Sequence, residues 1–279
     1  GYITDDPPGH FQVYELSSGK LIPVTSGAYT ESDAAWSPDG REIAFVSNRE
    51  ANPDASYKTD IWRISASRAG DTAAPVRVTG DDHTKQSPAW SPDGKSIAWI
   101  DAEDGVYGIQ QIAIVPAAGG NPRILTAALD RWVSEFRFSS DGRWIYFSYD
   151  DAGAVHLARV NLRNAEIEPL IQGDLVVTAF DIDKSGKLAV TMNTSNDASD
   201  LYVVQNKMPR RLTNINAAFF NRVSLGNKSK VEFSSPDGTR VEAFITTPPG
   251  FEQGRRYPTV LSIHGGPVGQ FAWGYDFGT

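Results

Sequence analysis

One turn sequence recurs along this chain and constrains its fold more than any other feature. Residues 36–40 and 90–94 are Trp-Ser-Pro-Asp-Gly, residues 138–142 are Phe-Ser-Ser-Asp-Gly, and residues 182–186 are a weaker copy. Proline presets φ at the second turn position, and glycine adopts the positive φ that strains other residues, so each copy predicts a β-hairpin. The turn glycines, Gly40, Gly94, Gly142 and Gly186, lie 54, 48 and 44 residues apart. Hairpin units of this period indicate the blades of a β-propeller.

Two further strands follow the hairpin in every unit, separated by Gly, Asn or Asp turns. We therefore predict a mainly β fold, with an incomplete β-propeller of four-stranded antiparallel blades over residues 1–222. The predicted parts are a half blade at 1–28 and blades at about 29–80, 81–127, 128–172 and 173–213. We expect further chain upstream of the half blade, because four and a half blades do not readily close a propeller ring. The repeated aromatic residues are predicted to lie in the core between blades; they are Trp36, Trp90, Trp99 and Phe138.

Composition excludes several classes of protein. The formal net charge is −8 and the basic residues form only pairs, so nucleic acid is not an expected partner. The absence of cysteine excludes disulfides and thiol chemistry. No apolar run approaches the roughly 20 residues of a spanning helix. The chain does not begin with Met, and its first residues lack a signal-peptide profile, so a cytoplasmic and a periplasmic or secreted location both stay open.

The repeat ends near residue 215, and a different pattern follows. Val231–Ser234 and Arg240–Ile245 predict another hairpin, and Thr259–Ile263 is apolar on both faces, which predicts a buried central strand. This strand leads into His264-Gly265-Gly266-Pro267. Such an arrangement supplies part of the oxyanion hole in α/β-hydrolases, because glycine lets main-chain N–H groups come within about 3 Å of a developing negative oxygen. A glycine-rich turn without catalytic meaning is the alternative.

These motifs together resemble a known family. The blades resemble those of TolB-type propellers. Their continuation resembles the prolyl oligopeptidase family of serine peptidases, and is most similar to its acylaminoacyl-peptidase and dipeptidyl-peptidase-5-like branch. The motifs that carry this resemblance are Arg211-Leu212-Thr213-Asn214, Ser235-Pro236-Asp237-Gly238, Pro248-Pro249-Gly250-Phe251, Tyr257-Pro258 and His264-Gly265-Gly266-Pro267, with Asp130-Arg131-Trp132 in an earlier blade.

The resemblance implies a propeller that caps an α/β-hydrolase domain with a Ser-Asp-His triad. Residues 223–279 would be the linker and the N-terminal strands of that domain, truncated. The backbone of Gly265 and Gly266 would help hold the oxyanion, and His264 would structure the loop. No Gly-x-Ser-x-Gly occurs in the chain, and the order Ser…Asp…His places the triad beyond Thr279, so we expect the 279 residues alone to be inactive.

By the same resemblance, the whole protein would be a serine exopeptidase or oligopeptidase of dipeptidyl- or acylaminoacyl-peptidase type, with no cofactor or metal. Its partners would be short peptide substrates, and a homo-oligomer is compatible because such peptidases often associate. Arg131, Trp132 and Glu135 are candidates for holding the terminus of a substrate; a salt bridge between blades explains the charged pair equally well. The alternative function is a non-enzymatic TolB-like propeller that binds protein partners.

Three acidic stretches could be mistaken for metal sites. Asp181–Gly186 matches the first half of a calcium loop, but the twelfth position is Met192 instead of Glu, and the stretch aligns with the hairpin turns. Asp81-Asp82-His83 and Asp150-Asp151 are predicted to be solvated loop residues, with metal binding as the alternative for each.

Overall fold

The computed structural model describes residues 7–66, 74–266 and 268–275. The described residues fall into two compact units, drawn from 1–145 with 160–167 and from 146–159 with 168–279. The predicted domain bounds at 1–222 and 223–279 stay a prediction, and residues 1 and 279 lie outside the described residues.

The first unit consists of short strands. They are β1 (Gln12–Glu15), β2 (Lys20–Pro23), β3 (Glu31–Trp36), β4 (Glu42–Ser47), β5 (Asp60–Ser65), β6 (Val76–Arg77), β7 (Thr84–Trp90), β8 (Ser96–Ala102), β9 (Gln111–Pro116), β10 (Arg123–Ile124) and β11 (Val133–Phe138). Short 3-10 turns lie at Pro53–Ala55 and Gly105–Tyr107.

Three strands carry residues of both units, and the second unit adds six more strands and one helical turn. The shared strands are β12 (Trp144–Asp151), β13 (Ala154–Asn161) and β14 (Ile167–Ile171). The second unit continues with β15 (Val176–Ile182), β16 (Leu188–Thr194), β17 (Asp197–Gln205), β18 (Met208–Arg211), α1 (Ala217–Phe220), β19 (Asn227–Ser234) and β20 (Arg240–Thr247).

Most strands pair in the order in which they occur along the chain, and β13 also forms one parallel bridge with β15, between Val155 and Val176. β3 to β6 form one four-stranded antiparallel sheet, and β7 to β10 form another. β15 to β18 repeat this order in the second unit. β1 with β2 and β19 with β20 are two-stranded hairpins. The predicted four-stranded antiparallel units are therefore confirmed.

The recurring turn is held by its serine and its aspartate. In the first copy, Ser37 Oγ donates to Asp39 Oδ1 (2.7 Å), which also accepts the Arg41 N–H (3.1 Å). The Glu42 N–H donates to Ser37 Oγ (2.9 Å). The serine-to-aspartate bond recurs at Ser91–Asp93 (2.6 Å) and Ser139–Asp141 (2.7 Å). Both residue types are needed because the turn leaves main-chain donors without strand partners.

In four of the repeats, a threonine after the last strand ties that strand to the one before it. Thr79 Oγ1 accepts the Ile61 N–H (3.0 Å) and donates to Asp60 Oδ1 (2.9 Å). The same threonine–amide bond recurs at Thr25–Phe11 (2.8 Å), Thr126–Ile112 (2.9 Å) and Thr213–Leu201 (2.9 Å). The fourth strands are short, and β6 and β10 have two residues each, so this side-chain bond replaces missing ladder bonds.

The first two sheets pack face to face through an apolar core. Trp90 and Trp99 are buried in it, and Trp90 Nε1 donates to Ala35 O (3.1 Å) across the contact. The prediction of an aromatic core is wrong for Trp36, which is 50% exposed. Trp36 pairs with Ile43, so both side chains lie on the face that packs against the β1–β2 hairpin. That hairpin supplies two strands instead of four and leaves Trp36 uncovered.

Candidate functional site

The stretch that leads to the candidate oxyanion loop is not a strand. Val260, Leu261 and Ile263 are 92%, 83% and 80% exposed, and residues 248–263 contain no regular secondary structure. The predicted buried strand over Thr259–Ile263 is therefore wrong for this structure. No described strand pairs with it, so its backbone has no ladder and its apolar side chains have no covering neighbour. An apolar pattern forms a central strand only where both edges find partners.

The two glycines of the candidate loop are open to solvent. A Cβ added at Gly265 would meet no atom within 4 Å, and one added at Gly266 would meet only the Val268 nitrogen, at 3.7 Å. Neither glycine has a φ in the left-handed region. Within the described residues neither N–H donates a hydrogen bond, which leaves two adjacent exposed donors. Pro267, the last residue of the predicted motif, lies outside the described residues.

His264 is exposed and is held by its own loop. Its Nδ1 lies 2.9 Å from Gly265 O, and its ring meets Phe271 edge to face at 5.6 Å. A Cβ at Gly269 would lie 2.4 Å from Gly265 O, so the chain folds back closely over the loop. These contacts fit the loop-structuring role predicted for His264.

The segment after the loop is anchored on the second unit. The Trp273 N–H donates to Gly153 O (2.7 Å), and the Trp273 ring packs edge to face on Phe244 at 4.8 Å. Lys228 Nζ donates to Ala272 O (2.5 Å) and lies 4.9 Å from the centre of the Phe244 ring. The turn between β12 and β13 and the β19–β20 hairpin thus jointly position Ala272 and Trp273, which follow Phe271, whose ring contacts His264.

Of the predicted substrate-holding residues, Arg131 and Trp132 lie just before β11 and Glu135 lies within it. Arg131 donates to Asp130 O (2.7 Å), and its guanidinium lies 3.9 Å from the Asp130 carboxylate. Glu135 accepts a hydrogen bond from Arg137 (2.6 Å). Trp132 is half-buried. Their assignment to substrate stays a prediction.

Glu135 lines a cavity of about 460 Å³ in the first unit, which neither Arg131 nor Trp132 reaches. Residues of β3, β7 and β11 form its walls, among them Asp33 and Ser87. Both have φ of +52°, at the irregularities of β3 and β7, and Asp33 Oδ2 accepts the Ser87 N–H (2.8 Å). No pattern in the sequence marked these two residues, because a β-bulge is defined by one extra residue relative to the partner strand, and the sequence of one strand does not show that pairing.

The acidic stretches have identifiable structural contacts. Asp81, His83 and Asp101 approach one another, and His83 Nδ1 lies 2.6 Å from Asp101 Oδ2. The fully buried Lys85 ammonium is bonded to Asp81 and already places a positive charge in this cluster. Asp183 accepts hydrogen bonds from the Ser185 and Lys187 N–H groups (both 2.8 Å), as a turn residue does.

Asp150 differs from the other acidic residues because burial raises the pKa of its carboxyl group. The neighbouring Asp151 lies 4.0 Å from His156 Nδ1. Asp150 and Asp151 are the last residues of β12 and are partly buried, so the prediction of a solvated loop is wrong for them.

Comparison with known proteins gives a sequence relative. Over 254 residues the chain is 27% identical to dipeptidyl-peptidase 5 of Porphyromonas gingivalis, covering 87% of this chain and 36% of that protein. The resemblance to prolyl oligopeptidase-family peptidases is confirmed. The chain spans about a third of the length of this relative. No family model matches the chain.

Comparison with solved structures confirms that this chain has the fold of part of these peptidases. The acylaminoacyl peptidase of Pyrococcus horikoshii superposes with a TM-score of 0.62 at 16% identity, covering 95% of this chain and 51% of that one. TolB of Acinetobacter baumannii superposes with a TM-score of 0.53 at 19% identity, covering 72% of this chain and 48% of that one. The four-stranded units are thus blades of a TolB-type propeller. No helix among the described residues is long and apolar enough to span a membrane.

Proposed function

We propose that this chain is the propeller and oxyanion-loop part of a serine exopeptidase that releases dipeptides or acylated residues from short peptides. The observation that carries the proposal is that the N–H groups of Gly265 and Gly266 have no hydrogen-bond partner within residues 7–66, 74–266 and 268–275, in a chain that resembles dipeptidyl-peptidase 5. The free chain has no steric need for glycine at either position. Close approach of a substrate oxygen to the backbone would explain why both positions are glycine.

In the proposed reaction a serine supplied by the hydrolase domain attacks the scissile carbonyl. The carbonyl oxygen becomes negative as the tetrahedral intermediate forms, and N–H groups aimed at that oxygen stabilise it. Gly265 and Gly266 would provide such donors, and the contact between His264 and Phe271 would keep the loop in place. The peptide amine then leaves with a proton, and water releases the acyl group from the serine.

The test is hydrolysis by the protein at the full length of its relatives. We expect cleavage of a dipeptidyl-p-nitroanilide or of an N-acetyl-amino-acid p-nitroanilide, abolished by a fluorophosphonate that labels one serine. The 279-residue chain, treated in parallel, should take up no label at a defined serine. Absence of hydrolysis on both substrates, or hydrolysis that the fluorophosphonate leaves intact, would contradict the proposal.

A non-enzymatic scaffold is the second candidate, and the superposition on TolB favours it. Residues 231–266 discriminate between the two candidate functions, because a scaffold needs no exposed glycine pair after an apolar stretch. A full-length protein that binds a protein partner on its propeller and hydrolyses neither substrate would support the scaffold.

A further inference from the structure

The chain contains two Arg-Arg dipeptides in contrasting structural settings. Arg210 and Arg211 lie in β18, paired with Val203 and Tyr202 of β17. Arg255 and Arg256 lie in an exposed loop that begins after β20 and contains no regular secondary structure up to Gly266. One Arg-Arg pair therefore lies in a hydrogen-bonded strand, and the other lies in a loop without regular structure.

The contacts that shape the exposed loop are formed within the loop. The centres of the Phe251 and Tyr257 rings lie 5.1 Å apart with the rings tilted by 32°, and the Glu252 N–H donates to the Tyr257 hydroxyl (3.0 Å). The Arg255 N–H donates to Glu252 O (3.3 Å). Opening this loop would break these few contacts and leave the sheets intact. Local opening of this kind is what an endopeptidase requires.

We propose that Arg255-Arg256 is a cleavage site for an endopeptidase of trypsin-like specificity. Such enzymes bind an arginine or lysine side chain in an acidic pocket and cut the peptide bond that follows it. Water adds across the bond after Arg256, or after Arg255, and gives a new carboxylate on the arginine and a new amino group on the next residue. Cleavage would break the covalent link between β20 and a segment that begins just before the apolar stretch 259–263 and includes the candidate oxyanion loop.

The segment beyond the cut remains attached through contacts that the cut does not touch. These are the Trp273 N–H bond to Gly153 O, the Lys228 bond to Ala272 O, and the contact between the Tyr275 and Phe220 rings at 5.1 Å. We therefore expect a nicked protein in which the two pieces stay together until a denaturant separates them.

The protection of the other dipeptide also follows from its contacts. The Arg211 guanidinium donates to Asp197 (2.6 Å) and to Asp200, and its Nε donates to Thr213 O (2.7 Å). Cleavage there would need β18 to leave the sheet and these charge-assisted bonds to break. Arg210-Arg211 is thus a matched internal control of identical sequence.

The test is limited digestion of the native chain with trypsin, followed by mass measurement of the fragments. We expect cleavage after Arg255 or Arg256 at least tenfold faster than cleavage after Arg210 or Arg211. The variant Arg255→Gln/Arg256→Gln should lose the fragment, while Arg255→Lys/Arg256→Lys should keep it, because trypsin accepts lysine. Equal or faster cleavage at 210–211, or no cleavage at 255–256 while the Lys variant is also resistant, would overturn the proposal. The outcome is independent of peptidase activity.

Discussion

At the scale of single residues, Asp141 illustrates how one exposed carboxylate organises a turn. It accepts hydrogen bonds from Ser139 Oγ (2.7 Å), from the Arg143 N–H (3.0 Å) and from Arg143 Nε (2.6 Å). These bonds, the one from Ser139 above all, lower the pKa of Asp141 from 3.8 to about 2. A carboxyl group with a lowered folded-state pKa stabilises the fold fully above its unfolded pKa and loses that contribution as the pH falls.

The pH dependence of the Asp141→Asn variant tests this. At pH 7 we expect the variant to lose about 1 kcal/mol of unfolding free energy, the usual net worth of such bonds in an exposed turn. The difference from the wild type should shrink between pH 3.8 and 2 and vanish below, as followed by urea denaturation. Asp174→Asn is the control, since Asp174 is exposed and has no hydrogen-bond partner among the described residues. A difference that does not change with pH would contradict this account of the turn.

A buried lysine gives a second prediction at this scale. Lys85 is fully buried, and its ammonium donates to Asp81, to Thr59 O (3.2 Å) and to His83 O (3.2 Å). Lys85→Met should cost about 3 kcal/mol in urea denaturation, because Asp81 and two carbonyl groups lose their partner. Lys95→Met is the control and should cost under about 0.5 kcal/mol, because Lys95 is largely exposed. Equal costs for the two variants would show that the buried cation does not hold this region together.

At the scale of elements, the turn between β12 and β13 requires a glycine at one position. Gly153 has a φ of +83°, and a Cβ there would lie 2.6 Å from Phe244 Cζ. Gly186 has the same φ, but a Cβ there would meet nothing within 4 Å. Alanine substitutions at these two glycines therefore separate the energetic cost of backbone strain from that of a packing clash.

We expect Gly186→Ala to cost about 1 kcal/mol, the strain of a left-handed residue. Gly153→Ala should cost a further 1–3 kcal/mol or so, because Phe244 must move. Urea denaturation of both variants measures the difference, and Phe244→Leu combined with Gly153→Ala should recover part of it. If the two glycine variants lost equal stability, the close contact at Gly153 would have no energetic role.

The elements also show what the sequence could predict. The hairpin turns were predictable because serine, aspartate and glycine act within a few residues of one another. The conformation of Thr259–Ile263 was not predictable, because a strand depends on partner strands that its own sequence does not contain. Trp36 has the same local sequence as Trp90, yet the hairpin beside it has two strands instead of four. The cavity at Asp33 and Ser87 depends on bulges, which arise from the pairing of two strands and cannot be read from either strand alone.

At the scale of the whole molecule, the propeller blades and the glycine loop belong to one continuous resemblance. The relative dipeptidyl-peptidase 5 is about three times as long as the matched part, so the chemistry that we propose depends on residues outside this chain. We propose that this chain contributes the two main-chain donors of Gly265 and Gly266, with Phe271 in contact with His264 and Trp273 anchored on Gly153.

The most direct test of this account is the turnover number of the full-length protein after substitution at Gly265. Gly265→Ala, whose methyl group would enter the space for the substrate oxygen, should lower kcat by about 10² to 10³ and change KM little. Gly254→Ala, in the open loop nearby, should keep kcat within about twofold, since its Cβ would meet no neighbour and an exposed strained turn costs only stability. Equal kcat values for the two variants would contradict the assignment of this loop to the oxyanion hole.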